Sequence, residues 1–272
     1  RAGAVPGPGA GGVIMSNKDD RPDMKRREFI GKTVLAAGAA SVVPGVLLTV
    51  AKAGGENPGV SSDVRYGLLI DTNKCADDCT ACVDACNREN GIDVMERPKG
   101  QSDDDWNGQR PQWIRKVRLK DMQTGEITNL PMMCQHCEFP PCVDVCPTGA
   151  SFKRADGIAM VDRHTCIGCR YCMMACPYKA RSFIHQNVAR QLVNAPRGKG
   201  CVESCNLCAH RIDAGDMTTA CQEACAKDGH QAIVFGDLKD PDSKLAKLLK
   251  KQSSRQIRAD LELNAGVRYT NV

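Results

Sequence analysis

Large aromatic side chains are scarce in this sequence: 2 Trp, 4 Tyr and 5 Phe in 272 residues, 4% in all. That supply excludes a core built mainly on bulky apolar groups, so something else must fill much of the interior. Long hydrophobic runs are missing as well. Outside Thr33–Ala51, no stretch approaches the roughly 18 consecutive apolar residues of a membrane span. Charge of one sign is also absent once the chain is divided. The first 53 residues hold eight of the 37 Lys/Arg and four of the 32 Asp/Glu, so residues 54–272 are near neutral although the whole chain is formally +5. Nucleic-acid binding would require a basic stripe on the folded domain, and none is present. No C-x2-C pair is followed by His, which excludes covalent c-type haem.

Cysteine, by contrast, is abundant: 17 residues, all beyond position 53. The densest stretch runs from Cys134 to Pro177. Within it Cys166, Cys169, Cys172 and Cys176, closed by Pro177, follow the bacterial ferredoxin spacing C-x2-C-x2-C-x3-C-P. Cys134, Cys137, Cys142 and Cys146 repeat it with two extra residues before Cys142. The chemistry explains the spacing. An iron–sulfide cubane needs a thiolate at each iron, three close cysteines on one loop cap three irons, and the fourth serves the neighbouring cluster. A zinc site would use C-x2-C pairs without the third cysteine or the C-P ending. A disulfide framework fits poorly with an odd cysteine count.

Two outer groups enclose this inner pair: Cys75, Cys79, Cys82, Cys86 before it, and Cys205, Cys208, Cys221, Cys225 after it. By the ferredoxin exchange rule, Cys75, Cys79, Cys82 and Cys225 hold one cluster, and Cys86, Cys205, Cys208 and Cys221 its neighbour. Cys134, Cys137, Cys142 and Cys176 hold a third, and Cys146, Cys166, Cys169 and Cys172 a fourth. The predicted cofactors are four [4Fe-4S] clusters, and folding is expected to depend on loading them. Cys201 is left over; a free thiol is the plainer reading, competition as a ligand the other. With sixteen cysteines used, no iron stays open to a substrate, so the expectation is an electron relay with no catalysis of its own.

The predicted fold is α+β, with two nested ferredoxin-like modules. The inner module covers residues 131–190, and the outer one 64–90 plus 200–238. Strands are expected at Tyr66–Ile70 and Ala232–Phe235. Hairpins are expected at Trp113–Leu130, as an insertion, and at 151–161. A C-terminal amphipathic helix at Asp242–Lys251 is a cap or a docking face. The tail from Val267 is extended and available to a partner. Gly168 is assigned a close backbone approach to a cluster. Arg170 and Lys179, together with Lys153 and Arg181, sit beside cluster loops, where charge can raise potentials. His136 reads as a loop residue tuning a cluster rather than a ligand. His164, His185, His210 and His230 have no ligand-like spacing.

Residues 1–53 read as a non-mature leader. Its first fourteen residues are Gly/Ala/Pro-rich, and Met15 and Met24 are candidate starts. Arg26-Arg27-Glu28-Phe29 followed by the weakly apolar, uncharged Thr33–Ala51 resembles a twin-arginine export signal, with Ala51-Lys52-Ala53 as a cleavage site. Retention as an anchor is the alternative. A periplasmic, membrane-peripheral mature domain, 54–272, is expected.

The nested order and the H-C-x3-P-P-C motif at His136–Cys142 resemble the four-cluster subunits of the polysulfide- and dimethylsulfoxide-reductase type. The Cys75–Cys79 opening, Cys146–Ile158, Cys166–Phe183 and the export signal are similar to one branch, the DsrO-type periplasmic subunits of DsrMKJOP complexes in dissimilatory sulfur metabolism. The resemblance implies a relay between a multihaem cytochrome c subunit and a polytopic membrane quinone-reactive subunit. Alternatives are the electron-transfer subunit of a molybdopterin oxidoreductase and, in a different class, a zinc- or disulfide-stabilised exported binding module.

Overall fold

Tyr66-Gly-Leu-Leu-Ile-Asp is too short and too continuously apolar for a helix exposed on one side, and it forms a strand buried on both faces. In the computed structural model, residues 60–272 are described; the expected leader lies outside the described residues. In chain order the first elements are β1 (Tyr66–Asp71), α1 (Ala81–Glu89), α2 (Asp103–Gln109), β2 (Arg115–Lys120) and β3 (Ile127–Met132). Then come α3 (Pro141–Asp144), β4 (Ser151–Lys153), β5 (Ala159–Val161), α4 (Tyr171–Ala175), β6 (Ser182–Phe183) and β7 (Val202–Glu203). The chain closes with α5 (Ala209–Asp213), α6 (Ala220–Lys227), β8 (Ile233–Asp237), α7 (Lys244–Lys251) and β9 (Val267–Thr270). The architecture is mixed α and β.

The main sheet has the order β8-β1-β9. β1 pairs antiparallel with β8, Leu68 facing Phe235, and parallel with β9, Leu68 facing Val267. The C-terminal tail is therefore a strand of the chain's own sheet, with Val267 and Tyr269 fully buried, and not a segment free for a partner. Gly67 permits this closeness, since a Cβ there would overlap the Gly266 carbonyl. The amphipathic helix α7 is capped by the Ser243 hydroxyl, which accepts from the Ala246 amide at 3.0 Å. It buries Leu245 and sits against Gly236 of β8, so it caps the sheet.

Three two-stranded ribbons complete the strands. β2–β3 is the insertion hairpin, with Val117 opposite Leu130, and β4–β5 is the second hairpin, with Phe152 opposite Met160. β6–β7 joins Ser182–Phe183 to Val202–Glu203, a pairing that periodicity does not signal. Helix α2 is a further element beyond those expected, although Ser102 and three following aspartates are a helix-start signal.

Among the described residues the buried core holds four Trp, Tyr and Phe side chains, Trp113, Tyr178, Phe235 and Tyr269. Thiols fill the space between the sheet, the insertion hairpin and helices α1 and α6: Cys82, Cys86, Cys134, Cys137, Cys176, Cys205, Cys221 and Cys225 belong to one apolar cluster. Among the described residues, no helix is long and apolar enough to cross a membrane.

Candidate metal centres

Each cysteine group ends on a short helix or at its margin. Cys82 and Cys86 lie one turn apart on α1, and Cys221 and Cys225 one turn apart on α6. Cys142 is on α3 with Cys146 just beyond it; Cys172 is on α4 with Cys176 at its end.

The inner cysteines line two cavities. One, about 330 Å³ counted to its mouth, is lined by Cys134, Cys137, Cys142 and Cys176. The other, about 300 Å³, is lined by Cys146, Cys166, Cys169 and Cys172. In each, three cysteines come from one group and one from the other. The outer cysteines lie close together: Cys221, Cys75, Cys225 and Cys79 neighbour Cys82, and Cys221, Cys208, Cys82 and Cys205 neighbour Cys86. They meet where α1 packs on α6, because Cys221 lies beside Cys82.

Burial pushes the thiols of Cys82, Cys134, Cys137 and Cys208 up to about 12, with neighbouring cysteines adding to the effect. The same cause drives Cys86 and Cys205 well above the ordinary thiol value. Such thiols hold their protons at neutral pH unless a metal takes the sulfur. The fourth cysteine of every group has a donor prepared for it. Cys146 Sγ accepts from the Ser151 amide at 3.3 Å, Cys176 from Ala180 at 3.5 Å and Cys225 from Ala232 at 3.2 Å. Cys86 accepts from the Asn90 side-chain amide at 3.6 Å. Burial acts to raise Cys146, but amides of Ser151, Thr148 and Ala150 outweigh it, so this thiol titrates below its ordinary value. A soft, all-sulfur donor set in groups of four, enclosed by amide donors, fits iron–sulfur cubanes.

The other predicted site residues are placed as follows. Gly168 lines the second cavity with φ +71°, and a Cβ there would overlap the Gly200 carbonyl oxygen. Arg170 borders the second cavity, is exposed, and stacks 4.1 Å over the Phe183 ring. Lys179 is exposed at φ +52°, and Lys153 is exposed and donates to the Glu138 carbonyl at 2.7 Å. His136 is buried; its Nδ1 accepts from the Ala159 amide at 3.1 Å, which leaves the proton on Nε2. Burial, then the nearby Arg181 charge, lowers its pKa to about 3, so the ring is neutral. Cys201 is buried beside Cys166 and donates to the Arg163 carbonyl at 3.3 Å.

Two residues had no sequence signal. Asp228 accepts from Cys79 Sγ at 3.1 Å, and His230 Nε2 lies 3.3 Å from the same carboxylate. The three groups lie within 4.8 Å of one another, beside the first outer quartet. Only the folded contact between the α6 end and the Cys75–Cys82 loop unites them.

A family model described as a 4Fe-4S dicluster domain matches residues 125–237. The chain is 37% identical to the Hdr-like menaquinol oxidoreductase iron-sulfur subunit 1 of Archaeoglobus fulgidus, the match covering 92% of this chain and 98% of the relative. It is 35% identical to a tetrathionate reductase subunit of Salmonella typhimurium over 84% of this chain and 79% of the relative. With protein NrfC of Escherichia coli the identity is 36%, over 84% and 86% respectively. The chain belongs to this family of oxidoreductase iron–sulfur subunits.

Proposed function

We propose that the chain is a DsrO-type subunit acting on the extracytoplasmic face of the membrane. It relays electrons through four [4Fe-4S] clusters between a cytochrome c-type partner and a membrane quinone-reactive subunit, in dissimilatory sulfur metabolism. What supports the reading is that the eight inner cysteines line two cavities in fours, each drawing three thiols from one group and one from the other, and that the outer cysteines gather where α1 packs on α6. Cys75, Cys79, Cys82 and Cys225 would hold one cluster, and Cys86, Cys205, Cys208 and Cys221 the next. Cys134, Cys137, Cys142 and Cys176 would hold the third, and Cys146, Cys166, Cys169 and Cys172 the fourth.

Bound cubanes supply one-electron carriers. The protein excludes water from most of the sulfurs, presents amide donors to the fourth cysteine of each group, and leaves Cys169 exposed. With every iron capped by thiolate, a reactant finds no open coordination position, and catalysis belongs to the partners.

The likeness to the tetrathionate reductase subunit supports a second reading, the electron-transfer subunit of a molybdopterin oxidoreductase. Anaerobic purification of the tagged chain from its native host separates the two. Co-purification of a haem-stained cytochrome c and a polytopic membrane protein is expected; a molybdenum-containing subunit in their place contradicts the first reading.

A further inference from the structure

Among the basic residues near the cluster loops, Arg181 differs in where it lies. Arg170, Lys179 and Lys153 are exposed, whereas Arg181 retains 5% of its surface. Its Nη2 donates to Cys142 Sγ at 3.1 Å. Cys134, of the same quartet as Cys142, and Cys172, of the neighbouring quartet, lie beside the guanidinium. Nε and Nη1 are buried and donate to no protein atom among the described residues. Arg197, also buried, has Glu203, and the half-buried Arg154 has Asp156; Arg181 has no such partner among the described residues.

A guanidinium does not give up its proton in a protein, and burying it unpaired costs several kcal/mol. Its counter-charge must therefore lie where the sulfurs converge. On the four-cluster reading above, a thiolate-capped cubane is a net anion on either side of this cation. We propose that Arg181 is the charge-compensating residue between the two inner clusters, and that it raises the reduction potential of both. Each cluster gains one electron from the donor and becomes more anionic; the fixed cation favours that form over the oxidised one. No proton accompanies the electron, because the guanidinium stays protonated throughout. The unpartnered N–H groups and the position between two quartets distinguish Arg181 from an ordinary surface base.

The test is a dithionite titration followed by electron paramagnetic resonance on the anaerobic, iron-loaded full chain, with Arg181→Gln and Arg181→Lys beside the wild type. Arg181→Gln should keep wild-type iron and sulfide while the reduction equilibria of two signals shift at least tenfold, about 59 mV for a one-electron couple. The other signals should stay in place, and Arg181→Lys should recover most of the shift. If Arg181→Gln fails to load the inner clusters but Arg181→Lys loads them, the requirement for charge is upheld. Unmoved potentials at full iron content, equal shifts in both variants, or loss of iron in both overturn the proposal and leave Arg181 a packing role. Wild-type iron well below four cubanes overturns the four-cluster reading first, and is seen before any variant is titrated.

Discussion

The indole Nε1 of Trp113 donates to Glu203 Oε1 at 2.9 Å, with both side chains almost wholly buried. Arg197 Nε lies 3.0 Å from the other carboxylate oxygen, and the guanidiniums of Arg163 and Arg197 lie 5.8 Å and 5.7 Å from the Trp113 ring centre. Arg197 also donates to the carbonyls of Asn90 and Gly91, just after α1. One buried carboxylate thus connects the insertion hairpin, the segment before Cys205 and the end of the first cysteine group. Glu203→Gln leaves Arg197 with an uncompensated buried charge and should cost about 3–5 kcal/mol. Trp113→Phe removes one donor and should cost about 1–3 kcal/mol. Urea denaturation of the anaerobic, metal-loaded protein checks both; a smaller loss for Glu203→Gln than for Trp113→Phe contradicts the ranking.

Glu89 at the end of α1 accepts from Arg211 Nε at 2.7 Å, and Arg211 also reaches Glu223 of α6 at 3.0 Å. The hydrogen bond from Arg211 is the main reason the Glu89 carboxyl falls from 4.5 to about 2. A carboxyl depressed in the folded state stabilises fully above its unfolded value and loses that contribution as pH falls through the folded one. Wild type should therefore exceed Glu89→Gln in stability at neutral pH, and the gap should close between about 4.5 and 2. Urea denaturation of both anaerobic, metal-loaded proteins at neutral pH, above the acid range in which clusters decompose, measures the gap, and equal stabilities there contradict the assignment.

Cys201 donates to a backbone carbonyl and is left over from the proposed four quartets. Cys201→Ser keeps that bond and should leave iron content unchanged. Cys205→Ser should remove or damage one cluster. Iron and sulfide assays on the two variants decide it; iron loss in Cys201→Ser would mean that Cys201 is itself a ligand, beside Cys166.

Gly168 holds a left-handed φ against the Gly200 carbonyl. Gly168→Ala must move the Cys166–Cys172 loop, so it should lower iron loading of the Cys146, Cys166, Cys169 and Cys172 quartet. Gly125→Ala, equally left-handed but facing open space in the turn of the β2–β3 hairpin, serves as the control for backbone strain alone. Equal loading of both variants contradicts the role given to Gly168.

The strands and hairpins were legible where their partners are near in sequence or where an apolar run leaves one solution, as at Tyr66–Asp71 and Ser151–Val161. β9 was not legible. Val267–Thr270 is short, interrupted by Arg268, and pairs with a strand at the far end of the folded chain. The cysteines declared their groups through spacing, because loop and helix geometry around a cubane is local. The surroundings of those groups did not. Arg181 and Lys179 look alike in sequence, yet one is buried on Cys142 and the other lies in solvent. His230 and Asp228 reach Cys79 only because α6 packs against α1.

Thiol protons must give way to inorganic clusters in the folded chain for any of this chemistry to operate. Iron and acid-labile sulfide counted per chain in an anaerobic preparation test that most directly, with folding followed in parallel. Four cubanes predict about 16 iron atoms and as many sulfides, in a brown protein that unfolds when the iron is removed. A colourless preparation with little iron that is nevertheless fully folded contradicts it.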